Sequence, residues 1–437
     1  MISIQKLNSP HHKSQIEVYR DFPLNLKNFS ILNVLKNGSN KVHTLGNPYS
    51  GKFIAHIPRW AIVKYSKEND TILDPFVGSG TTMVEARVLK RNSLGIDHNP
   101  LARLISKAKT TPLNENKLIK SRKKIKHLLQ NKNNTKIELP EFLNRDFWFD
   151  KAATRGIAII KKEIEKFDRD IADFFTVVLS ETIHKVSKVA EGQVLAASRK
   201  NHQKHRRFNV NQVKQKFLEQ LDIEIPKILY YSKQISRKNF SKIIGDNAEK
   251  IKTNRKINMI IASPPYINAH HYIWMHKLRL LQLGLVDDKS RLELMRKEIG
   301  TESVDYRGID SPPKIGINSL DQKIKEIYQG KYYKAAGRNN AIRTVSTYQY
   351  FIKMKNHFSC AYDLLDKKSV YCLVVGDNTI CGVNIPTSEY LSQIAKSVGF
   401  KEKLQYEILL KRRTLNMPRN VVWANAIKTE KVIIFTK

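Results

Sequence analysis

The sequence predicts an α/β protein organised around an open parallel sheet, and three observations carry that expectation. A short apolar strand, "TILDPF", enters a glycine turn, a helix "TTMVEARVLKRN" and a second short strand, "SLGIDHNPLA". Strand signals lapse between about 105 and 238 and resume at "FSKIIGDNAEKI" and "INMIIASPPY". Three further strands, "SVYCLVVGDN", "EKLQYEILLKR" and "EKVIIFTK", close the chain, with the helix "TSEYLSQIAKSVG" between the first two.

Taken in order, "HTLGNPYSGKFIAHIPRWAIVKYSKEND" reads as a loop that enters an amphipathic helix near Ile57 and ends at polar "SKEND". After the first strand, Met83, Val84, Ala86, Val88 and Leu89 form an apolar stripe at helical spacing. Residues 111–235 read as a helical insertion rich in lysine between two parts of an α/β domain at 1–110 and 236–437. Within the second part, 301–346 lacks a clear period and reads as a long loop system interrupted by a short helix. No internal repeat of fixed period is found.

At 437 residues and 41% hydrophobic content the chain can bury a full core, as one large domain with insertions or as two to three smaller ones. Lys and Arg number 77 against 40 Asp and Glu, a formal net charge of +37. That excess, clustered in "KSRKKIKHLLQNKNNTK" and "SRKNHQKHRRF", points to a polyanionic partner. Cys360, Cys372 and Cys381 form no CxxC pair and read as small core residues in a reduced compartment. No apolar run reaches membrane-span length and the N-terminus lacks a signal-peptide core, so no membrane partner and a cytoplasmic location are expected.

The glycine turn carries the first functional signal. Asp74 ends the strand, Gly78 and Gly80 occupy the turn, and the helix opens near Thr81 and Thr82. Bare backbone and helix N–H groups therefore lie outside the carboxyl end of a strand, where open α/β sheets bind ligands. Asp97, beside His98 at the tip of the next strand, is spaced from Gly80 as a ribose-binding acid would be. The glycines precede "TTM" rather than GK[ST], and no GxGxxG is present, which disfavours a phosphate ligand. Asp74 repels a pyrophosphate but suits a cation such as a sulfonium or an ammonium. S-adenosylmethionine satisfies both features.

"DPFVGSGTT", with Asp74, Phe76, Gly78, Gly80, Thr81 and Thr82, resembles the cofactor motif of the amino-methylating DNA methyltransferases, and "SPPY" at 263–266 resembles their catalytic motif. The resemblance spans roughly 45–110 and 240–437. It implies S-adenosylmethionine as cofactor and a Rossmann-like, seven-stranded sheet whose last strand is antiparallel. It also implies that Phe53 in "GKFIAHIP" lines the methionine end of the cofactor and that Asp246 in "IIGDNAEKI" reads the adenine amino group. "YINAHHYIWMHKLRLLQLGL" resembles the helix after the catalytic loop, with His270, His271 and Tyr272 as candidate contacts to cofactor or DNA and solvated or core-lining histidines as the alternative; no acid or cysteine joins His270, His271 and His276 to make a metal site.

The chemistry fits "SPPY". An exocyclic base amine has its lone pair delocalised into the ring, so a site must localise it. The Ser263 hydroxyl and the Pro264 carbonyl can accept the two amine protons, and Pro264 and Pro265 fix the backbone that aims that carbonyl. Tyr266 offers a face on which an extruded base can stack. Methylation at cytosine C5 needs a cysteine nucleophile, and no cysteine lies near Ser263 in the sequence. Serine at the first motif position resembles the cytosine-N4 members; adenine-N6 methylation and guanine-N2 methylation of RNA remain the alternatives. The resemblance suggests double-stranded DNA as substrate and host protection in a bacterial restriction-modification system, with a cognate restriction endonuclease as functional partner.

Two regions compete for DNA contact: the insertion, through Lys204, Arg206 and Arg207, and the 301–346 stretch, through Arg338, Asn339, Asn340 and Arg343. Arginine and asparagine suit base edges and lysine runs suit phosphates, which favours the second region for reading and the insertion for clamping.

Overall fold

The computed structural model describes residues 16–19, 25–28, 30–34, 41–46, 49, 51–52, 54–130, 137–189, 207–268, 271–307, 309–332, 339–409 and 429–437. In chain order the elements are β1 (Ile16–Tyr19), β2 (Ser30–Val34), α1 (His56–Tyr65), β3 (Thr71–Asp74), α2 (Thr81–Val88), β4 (Asn92–Ile96) and α3 (Pro100–Thr110). A run of helices follows: α4 (Glu115–Gln130), α5 (Arg145–Trp148), α6 (Lys151–Ile164), α7 (Arg169–Val186) and α8 (Val210–Gln234). The chain then returns through β5 (Ser241–Gly245), β6 (Ile257–Ala262), α9 (Tyr272–Met275), α10 (Lys277–Leu283), α11 (Asp288–Lys297), α12 (Asn318–Gln329) and α13 (Asn339–Leu364). It ends with β7 (Leu365–Val375), a hairpin of β8 (Asn378–Ile380) and β9 (Val383–Ile385), α14 (Thr387–Val398), β10 (Lys401–Leu409) and β11 (Thr429–Thr436).

The sheet runs β1-β2-β10-β11-β7-β6-β3-β4-β5. Its seven central and right-hand strands, β10 to β5, are parallel except β11, which is antiparallel to both neighbours. This is the Rossmann-like methyltransferase sheet expected from the sequence. Two strands were not expected: β2 extends the sheet beyond β10, in parallel, and β1 pairs in parallel with β2. In the stretch 301–346 the expected short helix is α12, twelve residues long, while 339–346 form the first turns of α13 and not loop.

Alternation along the strands divides the core. Leu73, Ile260, Tyr371, Leu373 and Phe435 face α12, α13 and α14, while Ile72, Met259, Ile261, Cys372 and Ile434 face Ile57, Trp60 and Ala61 of α1. A separate apolar core joins α3, α4, α6, α7, α8 and α10, from Leu101 and Ile105 through Phe174, Phe175 and Phe217 to Leu280. The helices between β4 and β5 thus pack on α3 through their own hydrophobic interior. Cys372 and Cys381 are buried and Cys360 is half-buried, all three as free thiols. No described helix is long and apolar enough to cross a membrane.

The order of the sheet fixes where a ligand can lie. From β3 the chain steps outward to β4 and β5, then crosses back to place β6 on the other side of β3. The gap outside the carboxyl ends of β3 and β6 is therefore the topological switch point. The register Ile72↔Met259 and Leu73↔Ile260, continued beyond the strand ends, brings Phe76 level with Ser263.

Candidate active site

A cleft of about 620 Å³ opens at this switch point. It is lined by Phe76, Gly78, Asp97, His98, Asp246, Ser263 and Pro265, so seven of the residues singled out in the sequence meet in one place. They arrive from the tips of β3, β4, β5 and β6, four strands that are adjacent only in the folded sheet.

The turn after β3 is shaped by its glycines. Gly78 and Gly80 sit at φ +50° and +86°, the left-handed region that penalises a Cβ. A Cβ on Gly80 would also lie 2.9 Å from the Cβ of Ser106 on α3, so α2 and α3 can approach only over a bare position. Asp97 ties this turn to β4: its Oδ2 accepts from the Gly78 amide at 2.8 Å and its Oδ1 from the Asn99 amide at 2.8 Å. Burial pushes its carboxyl up to about 6, against the pull of the Asn99 and Gly78 amides and the Arg103 guanidinium.

Asp74 behaves differently. It is 1% exposed and is not among the residues lining the cleft; its Oδ1 accepts from the Phe76 amide at 3.0 Å, bracing the turn from inside. Burial pushes it up to about 7, opposed by the Thr82 hydroxyl and the Phe76 amide. Gly80, Thr81 and Thr82 likewise do not line the cleft, and both threonines are buried at the start of α2.

The "SPPY" loop is held from four sides. The Tyr266 hydroxyl donates to Glu430 Oε1 at 2.8 Å, and the Asn378 side-chain amide donates to the Ile267 carbonyl at 3.2 Å. The Asn268 amide donates to the Gly300 carbonyl at 3.2 Å, and the Ser346 hydroxyl donates to Asn268 Oδ1. Asn268 itself takes φ +52°, which asparagine tolerates better than most residues. Ser263 is half-buried at the cleft wall and Pro264 is buried behind it.

Tyr272, named in the sequence as a contact to cofactor or DNA, also lines the cleft, and the other wall residues had no signal in the sequence. Tyr49 and Gly51 approach from the segment before α1, where the Tyr49 ring lies 3.6 Å from the position of a Cβ on Gly78. That segment is anchored by Glu181 of α7, which accepts from the Gly46 amide, and by Glu85, which pairs with His43 at 2.7 Å and Arg59 at 2.8 Å. Gln349 and Lys353 of α13 and Arg296 to Ile299 at the end of α11 close the far side. Behind Phe76 and Ala248 lies His357, whose Nδ1–H donates to the Ala248 carbonyl at 2.8 Å while Nε2 accepts from the Tyr371 hydroxyl at 2.7 Å. Burial lowers its pKa to about 4, which keeps that neutral tautomer.

Other expected residues lie elsewhere. Phe53, Lys204, Arg206, His270, Arg338 and the side chain of Asn339 fall outside the described residues. Arg207 is exposed. The Asn340 amide donates to the Ile327 carbonyl at 2.8 Å, joining α13 to α12. Arg343 pairs with Glu302 at 2.7 Å, and Glu302 is also approached by His271 at 3.8 Å, so this arginine is engaged within the fold. Among the described residues no cluster of His, Cys, Asp and Glu could hold a metal.

A doubly covered sheet of this order, with a glycine turn, a strand-tip acid and a proline-fixed loop around one cleft, defines a Rossmann-like methyltransferase. The family model for DNA methylase, of the N6 and N4 type, matches residues 6–108. The chain is similar to Type II methyltransferase M.MvaI of Kocuria varians, 23% identical over 84% of each chain. It is similar to Type II methyltransferase M.BsoBI of Geobacillus stearothermophilus, 23% identical over 76% of this chain and 74% of that one. Type II methyltransferase M.MjaII of Methanocaldococcus jannaschii is 39% identical over a shorter stretch, 20% of this chain and 16% of its own. These matches, together with the fold, support an amino-DNA methyltransferase, a DNA-methylating enzyme.

The family implies S-adenosylmethionine as methyl donor, and the cleft fits it. Gly78 presents bare backbone on the cleft wall beside the Tyr49 ring, Asp97 keeps lone pairs beyond its two backbone bonds, and the volume suits a nucleoside with an amino-acid tail.

Proposed function

We propose that this enzyme methylates the exocyclic N4 amine of cytosine in double-stranded DNA, as the protecting partner of a cognate restriction endonuclease in the cytoplasm. The observation that carries the reading is Ser263 on the wall of the same cleft as Gly78 and Asp97, level with Phe76 by strand register. S-adenosylmethionine, when bound, supplies an electrophilic methyl on a sulfonium. Asp97 would hold the ribose hydroxyls, Asp246 the adenine amino group, and Phe76 the face of the ring. The Ser263 hydroxyl and the Pro264 carbonyl accept the hydrogens of the target amine and draw its lone pair out of conjugation. The clamped loop from Ser263 to Asn268 keeps both acceptors fixed, so their orientation need not be recreated at each turnover. The Tyr266 ring is a platform for the extruded base.

Serine in place of a carboxylate at 263 supports cytosine-N4 over adenine-N6 by family tendency, and the relatives described as Type II methyltransferases support the restriction-modification setting. For DNA contact we favour the helices α4 to α8 as a clamp on the duplex, with Arg207 exposed beside α8, and the segment between α11 and α13 for reading bases. The test is transfer of labelled methyl to DNA and to RNA in parallel. Label in DNA alone supports the reading; label in RNA alone moves the substrate to RNA guanine.

A further inference from the structure

The cationic centre of the methyl donor calls for an anion, and Asp74, the acid that the sequence offers for it, turns inward to brace the glycine turn. Four other acids line the cleft: Asp97, Asp246, Glu249 and Glu298. Asp97 accepts from the Gly78 and Asn99 amides, and its remaining lone pairs are assigned to the ribose. Asp246 and Glu249 sit beyond the end of β5, on the adenine side of the proposed site. Glu298 remains, just past α11.

Its setting is unusual for a carboxylate. Glu298 is 6% exposed, its Oε1 accepts from the Ile273 amide at 3.1 Å, and its Oε2 is buried with no hydrogen-bond partner among the described residues. A buried carboxylate oxygen left unmatched at a cleft wall is costly unless something arrives to match it. The groups that act on Glu298 are Asp97, His271 and the backbone amides of Ile273 and Tyr272, and Glu298 in turn acts on the Tyr49 and Tyr272 phenols and the Lys353 ammonium. Tyr49 covers Gly78, and the Tyr272 hydroxyl lies against Gly51. Glu298 therefore belongs to the part of the cleft between the ribose acid and the glycine turn, which two aromatic rings also wall. Burial pushes its carboxyl up to about 7, opposed by the Ile273 amide, so an incoming positive charge has an ionisation to recover. The Lys353 ammonium donates to the carbonyls of Lys297 and Glu298 at 3.2 Å, fixing the backbone that carries the acid.

We propose that Glu298 is a cofactor-binding residue that recognises the sulfonium of the methyl donor and so distinguishes the donor from its demethylated thioether product. The proposal rests on the cleft being the S-adenosylmethionine site. Donor and product share adenine, ribose and amino-acid groups and differ at sulfur by one methyl and one positive charge, so a charged residue aimed at sulfur acts on their affinity ratio. Loss of the cation on methyl transfer then removes an attraction and favours product release.

The experiment is titration calorimetry of the full chain with S-adenosylmethionine and, separately, S-adenosylhomocysteine. Glu298→Gln is expected to weaken donor binding by about tenfold and product binding by less than about threefold. Product binding by the variant doubles as the check that it is folded, and Glu298→Asp, which keeps the charge, should preserve most of the ratio. Asp97→Asn should weaken both ligands alike, since the ribose is common to both. An unchanged donor-to-product ratio in Glu298→Gln, or an equal loss for both ligands, overturns the proposal. If the unaltered chain binds neither ligand, the cofactor reading of the cleft fails instead.

Discussion

The Gly78 amide donates to Asp97 Oδ2 at 2.8 Å, so the acid that is to hold the ribose also holds the glycine turn on which the rest of the cofactor would lie. One side chain thereby couples the tips of β3 and β4, and its removal is felt at both. Asp97→Ala is expected to lower S-adenosylmethionine affinity by at least about tenfold, more than loss of a single exposed hydrogen bond would. Calorimetric titration checks this; affinity equal to that of the unaltered protein removes Asp97 from the cofactor site.

Gly80→Ala tests the turn from the side of sterics. The substitution sets an L-residue at φ +86° and drives its Cβ to within 2.9 Å of Ser106 Cβ. A loss of about 1–3 kcal/mol in unfolding free energy is expected, before any effect on ligand binding. Denaturant unfolding without ligand measures it, and a change below about 0.5 kcal/mol would mean that the α2–α3 contact relaxes freely.

Ser263→Ala and Ser263→Ala combined with Pro264→Ala address the amine. Both should reduce the rate of methyl transfer at saturating donor, the double variant by about a hundredfold or more, while donor affinity stays within about threefold. Single-turnover kinetics separate the two quantities. Near-normal rates in the double variant would leave the amine-positioning argument without support.

The ionisation of Glu298 gives a prediction for stability against pH. Its folded-state pKa is raised to about 7 from the ordinary 4.5, so its contribution to stability is present below the unfolded value and is lost as pH rises through about 7. The groups facing it are Asp97, the amides of Ile273 and Tyr272, His271, the Lys353 ammonium and the Tyr49 and Tyr272 phenols. Glu298→Gln cannot ionise, so its stability relative to the unaltered protein should rise by on the order of 1–3 kcal/mol between about pH 5 and about pH 8. Urea unfolding at the two pH values, without ligand, gives the difference; a flat or falling difference contradicts the raised pKa.

The parts that were legible in the sequence are the local ones. "DPFVGSGTT" and "SPPY" each combine a strand end with a conformationally special residue, and such punctuation survives without knowledge of the fold. Glu298, His357, Tyr49 and Glu430 carry no such mark, because their roles exist only once α11, α13, the segment before α1 and β11 converge on the sheet. Asp74 shows the reverse case: its position beside the turn was readable, but the direction of its carboxyl depends on the Phe76 amide closing back on it. "GRNNAIRTVS" read as loop for want of a clear period, yet from Asn339 it is helical within the 26-residue α13. Packing of Tyr350 and Phe351 against Leu320, Ile324 and Ile327 supplies stability that local propensity lacks.

The central claim is that the cleft directs methyl transfer to an exocyclic cytosine amine in DNA. Its most direct test is mass identification of the modified nucleoside after incubation of DNA with the full chain and methyl-labelled S-adenosylmethionine, in parallel with Ser263→Ala. N4-methylcytosine with the unaltered chain, and sharply less with the variant, is the predicted result. N6-methyladenine would contradict the assignment of the base, and label in neither nucleoside would contradict the claim itself.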